Sequence, residues 1–241
     1  ATGNFLCNMD NARDMVDVRE MVVLQKLRLT GPTSAIEGFY NGPAWYYLLA
    51  IPFVLSGGDP YGSIIMEMIL WAIGGFFLLK LVAGWGKWLI FPIGGIWVAS
   101  NYIVLTNVYA FNPNPVTLLT PLFIYLLYKY LETGRLRWAV GSFFLGGLFF
   151  NFEMNFGVFI PAIFLSAVYF SGKLKLLKQR NFWIGAGFFI LTLLPQLLFD
   201  IRHQFIMSKS VINFLQSNNG TSFNLITRFQ TLANSFFGVF A

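Results

Sequence analysis

Ser63-Ile64-Ile65-Met66-Glu67-Met68-Ile69-Leu70-Trp71-Ala72-Ile73-Gly74-Gly75-Phe76-Phe77-Leu78-Leu79-Lys80-Leu81-Val82-Ala83 decides the fold. The run is apolar except for Ser63, Glu67 and Lys80. At about 1.5 Å per residue a helix of this length reaches across a hydrocarbon core of roughly 30 Å. Similar runs follow at Trp88–Thr106, Val116–Leu131, Trp138–Phe150, Phe156–Ser171 and Phe182–Phe199, and another begins near Phe223. A shorter aromatic run, Ala44–Leu55, lies upstream and ends at Ser56-Gly57-Gly58-Asp59-Pro60. A helix from Ala44 to Gly58 would be only about 22 Å long, so a juxtamembrane or partly inserted element is expected rather than a full span.

Composition agrees with a membrane protein. The 241 residues are 56% hydrophobic, 19% aromatic and only 11% charged, and the mean hydropathy is +0.64. A soluble domain carries about a quarter charged residues. The net charge of +6 could suit nucleic acid, but the cations sit in short loops between apolar runs and no RNA-binding signature appears. No nucleic-acid partner is expected. Cys7 is the sole cysteine, which excludes an intrachain disulfide and a thiolate metal cluster.

The loops predict orientation. Lys80 and Lys87, then Lys129, Arg135 and Arg137, then Lys173, Lys175, Lys178 and Arg180 flank alternate loops, whereas Asn107–Pro115 and Asn151–Asn155 hold no Lys or Arg. By the positive-inside rule the first set is cytoplasmic and the second faces outward. With Ala44–Gly58 not crossing, residues 1–62 form the first extracytoplasmic loop and 63–241 a transmembrane helix bundle; a fully spanning Ala44 segment would reverse the side of the Asp10 helix. Residues 1–9 make no signal peptide. The chain is expected to be a piece of a longer protein, with one span before Ala1 and more after Ala241.

Charge is concentrated between Asp10 and Leu29. On a helix Asp10, Arg13, Asp14, Asp17 and Glu20 recur at three- and four-residue spacing as one charged stripe. Met15, Val18 and Val22, with Val16, Val23 and Leu27, form an apolar face. Such a helix suits a membrane surface, although a solvated helix with internal ion pairs would show the same pattern. This topology gathers Asp10, Arg13, Asp14, Glu37, Asn41, Glu67, Asn112, Asn114, Glu153, Asp200, Arg202 and His203 at the outer face. Glu153, at the edge of two spans, is a functional candidate because ionisable groups at membrane depth are costly.

Asp10-Asn11-Ala12-Arg13-Asp14, followed some thirty residues later by Tyr40-Asn41-Gly42-Pro43-Ala44-Trp45-Tyr46-Tyr47-Leu48-Leu49, resembles the first extracytoplasmic loop of GT-C glycosyltransferases. Within these the chain is most similar to glycosyltransferase family 39, the dolichyl-phosphate-mannose protein mannosyltransferase-like group, with lipid A aminoarabinose transferases as relatives. Leu194-Pro195-Gln196-Leu197-Leu198-Phe199-Asp200-Ile201-Arg202-His203 looks like the stretch after a later helix in bacterial members.

The resemblance implies an all-α, polytopic bundle of GT-C type with extracytoplasmic juxtamembrane helices. It implies a multi-pass enzyme of the plasma or inner membrane that moves a mannose-like or other sugar, with inversion, from a polyprenyl-phosphate donor to a protein, lipid or glycan acceptor. By motif match Asp10 is the catalytic acidic residue. Arg13, Asp14, Asn41, Tyr46, Glu153, Arg202 and His203 are candidates for binding donor and acceptor, with Arg202 and His203 assigned to the lipid phosphate by placement. No metal and no cofactor is expected beyond the lipid-linked sugar itself. Asn11 replaces the second acidic residue of the family motif, and Tyr40-Asn41 an acidic-basic pair of the aminoarabinose transferases; donor and acceptor identity stay open. A transporter or lipid-linked-sugar flippase is the alternative, and would be expected to carry charges near the bilayer midplane in paired, broken helices. A non-catalytic membrane scaffold would leave Asp10 pointing into open solvent.

Overall fold

A computed structural model describes residues 9–34, 36–216 and 230. The expected apolar segment from Phe223 lies outside the described residues, as does Cys7. Eleven α-helices are described: α1 Met9–Val23, α2 Ala44–Leu55, α3 Tyr61–Ala83, α4 Ile90–Ala99, α5 Asn101–Leu105, α6 Asn114–Thr133, α7 Leu136–Phe152, α8 Met154–Gly157, α9 Ile160–Phe170, α10 Arg180–Arg202 and α11 Ile206–Gln216. Among the described residues the β structure is one isolated antiparallel bridge, Thr33 with Tyr40. The protein is an all-α helix bundle.

Among the described residues two helices, α3 and α10, are long and apolar enough to cross a membrane. The other expected spans differ from the runs that suggested them. The run Trp88–Thr106 breaks at Ser100, whose extended backbone (ψ 119°) separates α4 from α5. The run Phe156–Ser171 divides because α8 ends at Gly157, whose Cα lies so close to the Phe150 backbone that a Cβ would overlap it. The third run lengthens to α6, bounded by Pro113 before its start and by Gly134 in the left-handed region (φ 62°) at its end. Helix α1 is shorter than the charge pattern suggested. Gln25 takes a positive φ of 52° just after α1 ends, and Arg28 folds back to Asp17 and Glu20 at 3.0 and 2.8 Å.

The centre of the bundle is α7, packed on α10 and α6, with α6 also packed on α3. Aromatic rings fill the space between them. Phe143 stacks on Phe164 at 3.9 Å, and Phe123 meets Phe149 and Phe164 at 5.5 and 5.7 Å. Glycine permits the close approach: a Cβ at Gly147 would overlap the Thr192 hydroxyl of α10, and one at Gly74 the Leu118 carbonyl of α6. Gly95 behaves differently, since no described residue lies within 4 Å of a Cβ there, although one at Gly94 would press on Leu79 at 3.3 Å.

The two ends of the bundle are chemically distinct. At one end Asn181 donates to the Gly134 carbonyl (2.8 Å), so the loops bearing Arg135, Arg137, Lys173, Lys175 and Lys178 lie together. At the other end Asn11 of α1 donates to the Ala110 carbonyl (2.9 Å), Asn112 to Phe152 (2.7 Å), and Gln196 of α10 to Tyr40 (3.1 Å). The second end is asparagine-rich and carries most of the candidate residues.

Candidate active site

Helix α1 buries Asn11, Asp14, Val18 and Met21; of the apolar face expected from the sequence, Val18 is buried and Met15 and Val22 half-buried, while the rest turns outward. Val16, Val23 and Leu27 are 66%, 65% and 82% exposed. The reason is that the facing elements offer polar partners: the Ala110 carbonyl meets Asn11, and the Trp45 indole of α2 meets Asp14. The charged stripe therefore turns partly inward.

Asp14 is 1% exposed. Its Oδ2 accepts from Trp45 Nε1 at 2.7 Å, and its Oδ1 from Arg13 Nε and Nη2 at 3.0 and 2.9 Å. Burial raises the Asp14 carboxyl above the ordinary aspartate range, against the pull of the Trp45 and Arg13 hydrogen bonds. The same guanidinium reaches on through Nη1 to Asp10 Oδ1 at 2.9 Å. Asp10 is 48% exposed in this pair, so the Arg13–Asp10 contact stabilises little, under about 1 kcal/mol. Arg13 is held by Asp14 and presents its remaining face to Asp10. The second oxygen of Asp10, Oδ2, carries no hydrogen bond among the described residues.

The next turn repeats the pattern more weakly. Asp17 accepts from the Tyr46 hydroxyl at 2.8 Å and from Arg28 at 3.0 Å. Tyr46 thus secures α2 to α1.

Asn41 lies on the connection before α2. Its backbone pairs with Pro32 and Gly31, and its side-chain oxygen accepts from the Met154 amide at 3.2 Å. Gly42 donates its amide to the Asn151 carbonyl at 2.9 Å, and a Cβ at Gly42 would overlap the Asn151 side chain. Asn151 in turn donates to the Gly147 and Thr192 carbonyls, both at 3.0 Å. This asparagine, which ties α7, α10 and the connection together, was not singled out from the sequence. The signal was present: a polar residue buried at the end of an apolar run, beside Glu153.

Glu153 occupies the break between α7 and α8. It accepts from Asn112 Nδ2 at 3.3 Å and from Asn155 Nδ2 at 2.7 Å. The loop between α5 and α6 therefore touches α1 through Ala110 and Glu153 through Asn112. Asp10, Arg13, Asp14, Tyr46, Asn41 and Glu153 are joined in this way by short bonds through neighbouring residues at one end of the bundle.

Arg202 and His203 close α10 and stand apart from that network. His203 stacks on Phe199 at 4.0 Å and contacts its carbonyl through Nδ1 at 2.8 Å. Phe199 meets Tyr40 edge-on at 5.8 Å. Arg202 is exposed and makes no ion pair among the described residues. Asp200 is engaged structurally: it accepts from the Met207 amide at 2.7 Å and from the Ser208 hydroxyl, capping α11. Among the described residues no three His, Cys, Asp or Glu side chains converge.

The family model of dolichyl-phosphate-mannose-protein mannosyltransferase matches residues 41–199. The match runs from Asn41 through α2 to near the end of α10, and α1 with Asp10 and Asp14 precedes it. No curated protein and no solved structure matches the chain. The matched region contains both helices long enough to cross a membrane and the central α6–α7–α10 packing. The chain belongs to the dolichyl-phosphate-mannose-protein mannosyltransferase family, membrane glycosyltransferases of the GT-C type.

Proposed function

We propose that this protein transfers a sugar, with inversion, from a polyprenyl-phosphate donor to a hydroxyl of a protein, lipid or glycan acceptor, at the asparagine-rich end of the bundle facing away from the cytoplasm. The observation that carries the reading is the state of Asp10: Arg13, anchored by buried Asp14, holds one oxygen, and Oδ2 has no partner among the described residues. A carboxylate fixed in this way can take the acceptor proton as the acceptor oxygen bonds to the anomeric carbon. The bond from that carbon to the phosphate oxygen breaks, and the electron pair leaves with the polyprenyl phosphate. Attack from the opposite side inverts the anomeric centre, as in inverting glycoside chemistry.

The leaving phosphate needs cationic or hydrogen-bonding partners. Arg202 is assigned that role because it is exposed and unpaired among the described residues, with His203 beside it. Glu153 is assigned to the acceptor side, whereas Asn41 and Tyr46, each 2% exposed, act on the site by holding its frame. The outward orientation is inferred from the loop cations of the opposite end, Lys80, Lys87, Lys129, Arg135, Arg137, Lys173, Lys175, Lys178 and Arg180, whereas Arg13 and Arg28 at this end are matched by Asp10, Asp14, Asp17 and Glu20.

The test is transfer in membranes containing the full-length protein and radiolabelled polyprenyl-phosphate sugars. Asp10→Asn, at equal abundance, is expected to lower transfer about 10²- to 10⁴-fold, the range of a lost general base. Equal rates in wild type and variant would remove Asp10 from the chemistry. Failure of every donor with the wild type would move the reading to a transporter or flippase.

A further inference from the structure

The segment 106–114 joins α5 to α6 and is bonded on two sides to the candidate site. On one side the carbonyl of buried Ala110 accepts from Asn11 Nδ2 at 2.9 Å, and Asn11 is the chain neighbour of Asp10. On the other side Asn112, 5% exposed, donates through Nδ2 to the Phe152 carbonyl at 2.7 Å and to Glu153 Oε2 at 3.3 Å. One side-chain amide thus spends both of its N–H bonds on the junction between α7 and α8.

Asn112 differs in this from the asparagines around it. Asn114 closes the segment on itself, donating to the Thr106 and Tyr109 carbonyls at 3.1 and 2.8 Å, and Asn155 reaches Glu153 Oε1 from two residues away. Asn112 instead spans forty-one residues to its carboxylate partner. Phe152 is the last residue of α7, where helix carbonyls run out of partners within the helix. The donor needed there is an amide with two hydrogens, which asparagine supplies and aspartate of the same size does not. Because Ala110 lies two residues before Asn112, whatever anchors Asn112 also limits where the Ala110 carbonyl can stand, and with it Asn11.

We propose that Asn112 is a positioning residue for the transfer reaction: anchored on the Phe152 carbonyl and Glu153, it fixes the 106–114 segment, which through Ala110 and Asn11 holds the first turn of α1 and keeps Asp10 in place. It touches neither donor nor acceptor. The inference rests on the glycosyl-transfer reading of the site, and its test has one readout that does not.

The experiment uses full-length protein in lipid nanodiscs, comparing wild type with Asn112→Asp, which keeps the size of the side chain and removes its donors. Hydrogen exchange is expected to quicken at least about tenfold in the peptides spanning 106–114 and the first turn of α1, while α3 and α10 keep their protection. In parallel, kcat is expected to fall at least about tenfold with KM for the donor within about twofold, because displacement of a site by an ångström costs up to about 10²-fold. In an Asp10→Asn background the same substitution should lower the residual rate by less than about threefold, since little is then left to position. Unchanged exchange in the two peptides would overturn the proposal. So would an undiminished loss of rate in the Asp10→Asn background, or an unaltered kcat in an active enzyme. If Asn112→Asp does not fold, Asn112→Ala decides by the same readings. A wild type that transfers no sugar would overturn the proposed function and this inference with it, faster exchange then marking a structural tie alone.

Discussion

The α1–α2 corner and the α7–α10 seam are held together by different means. At the corner, Asp14 meets Trp45 and Arg13, and Asp17 meets Tyr46 and Arg28, each through directed polar bonds. At the seam, Gly147 lets α10 approach until Thr192 fills the place of a side chain, and Phe143 packs against Phe182 at 5.2 Å. The corner is specified by a few atoms whose removal leaves others unpaired. The seam is specified by volume. A site that must hold a carboxylate in one orientation is better served by the first kind of order, and Asp10 is on the corner.

The largest expected effect tests the corner. Asp14→Ala leaves Trp45 Nε1 and two guanidinium nitrogens without their acceptor, and should lower stability by about 3 kcal/mol. Equilibrium unfolding in mixed micelles measures it; a loss as small as that of a surface substitution would mean the corner is not held by these bonds. At the seam, Gly147→Ala should cost about 2 kcal/mol through overpacking against Thr192. Pairing it with Thr192→Ala should recover much of that loss, whereas additive losses would place the strain elsewhere. A smaller effect, about 1 kcal/mol, is expected for Tyr46→Phe, which removes one hydrogen bond to Asp17. The same unfolding assay reads it, and a larger loss would make the second turn of α1 as important as the first.

The smallest effect is a pH dependence. Burial raises the Asp14 carboxyl above its unfolded value, so between the unfolded and folded values the native state holds more protons than the unfolded chain. Stability then falls as pH rises through that window, and the penalty is complete above it. Asp14→Asn should flatten this part of the stability profile. An unchanged slope would assign the dependence to another group.

Helix placement was legible because each apolar run and each Gly or Pro boundary acts locally. Gly134 ended α6 where its left-handed backbone demands. The breaks at Ser100 and after Gly157 were not legible, since they depend on what lies across the gap: Gly157 yields to the Phe150 backbone. In the site, the acidic and basic residues of α1 could be picked out, but not which of them would be buried. Spacing treats Asp10 and Asp14 alike, while Trp45, thirty-one residues further on, makes Asp14 the anchor and leaves Asp10 half-exposed. Asn112 and Asn151 work through carbonyls of distant residues, a pairing that no local pattern encodes.

The contact between Gly42 and Asn151 also bears on how this protein can diverge. A side chain at position 42 has nowhere to go while Asn151 keeps its place between the Gly147 and Thr192 carbonyls. Drift at the two positions is therefore coupled: a relative with a larger residue at 42 should carry a shorter one at 151, and should find another donor for those two carbonyls. A library randomised at both positions would return them as a correlated pair.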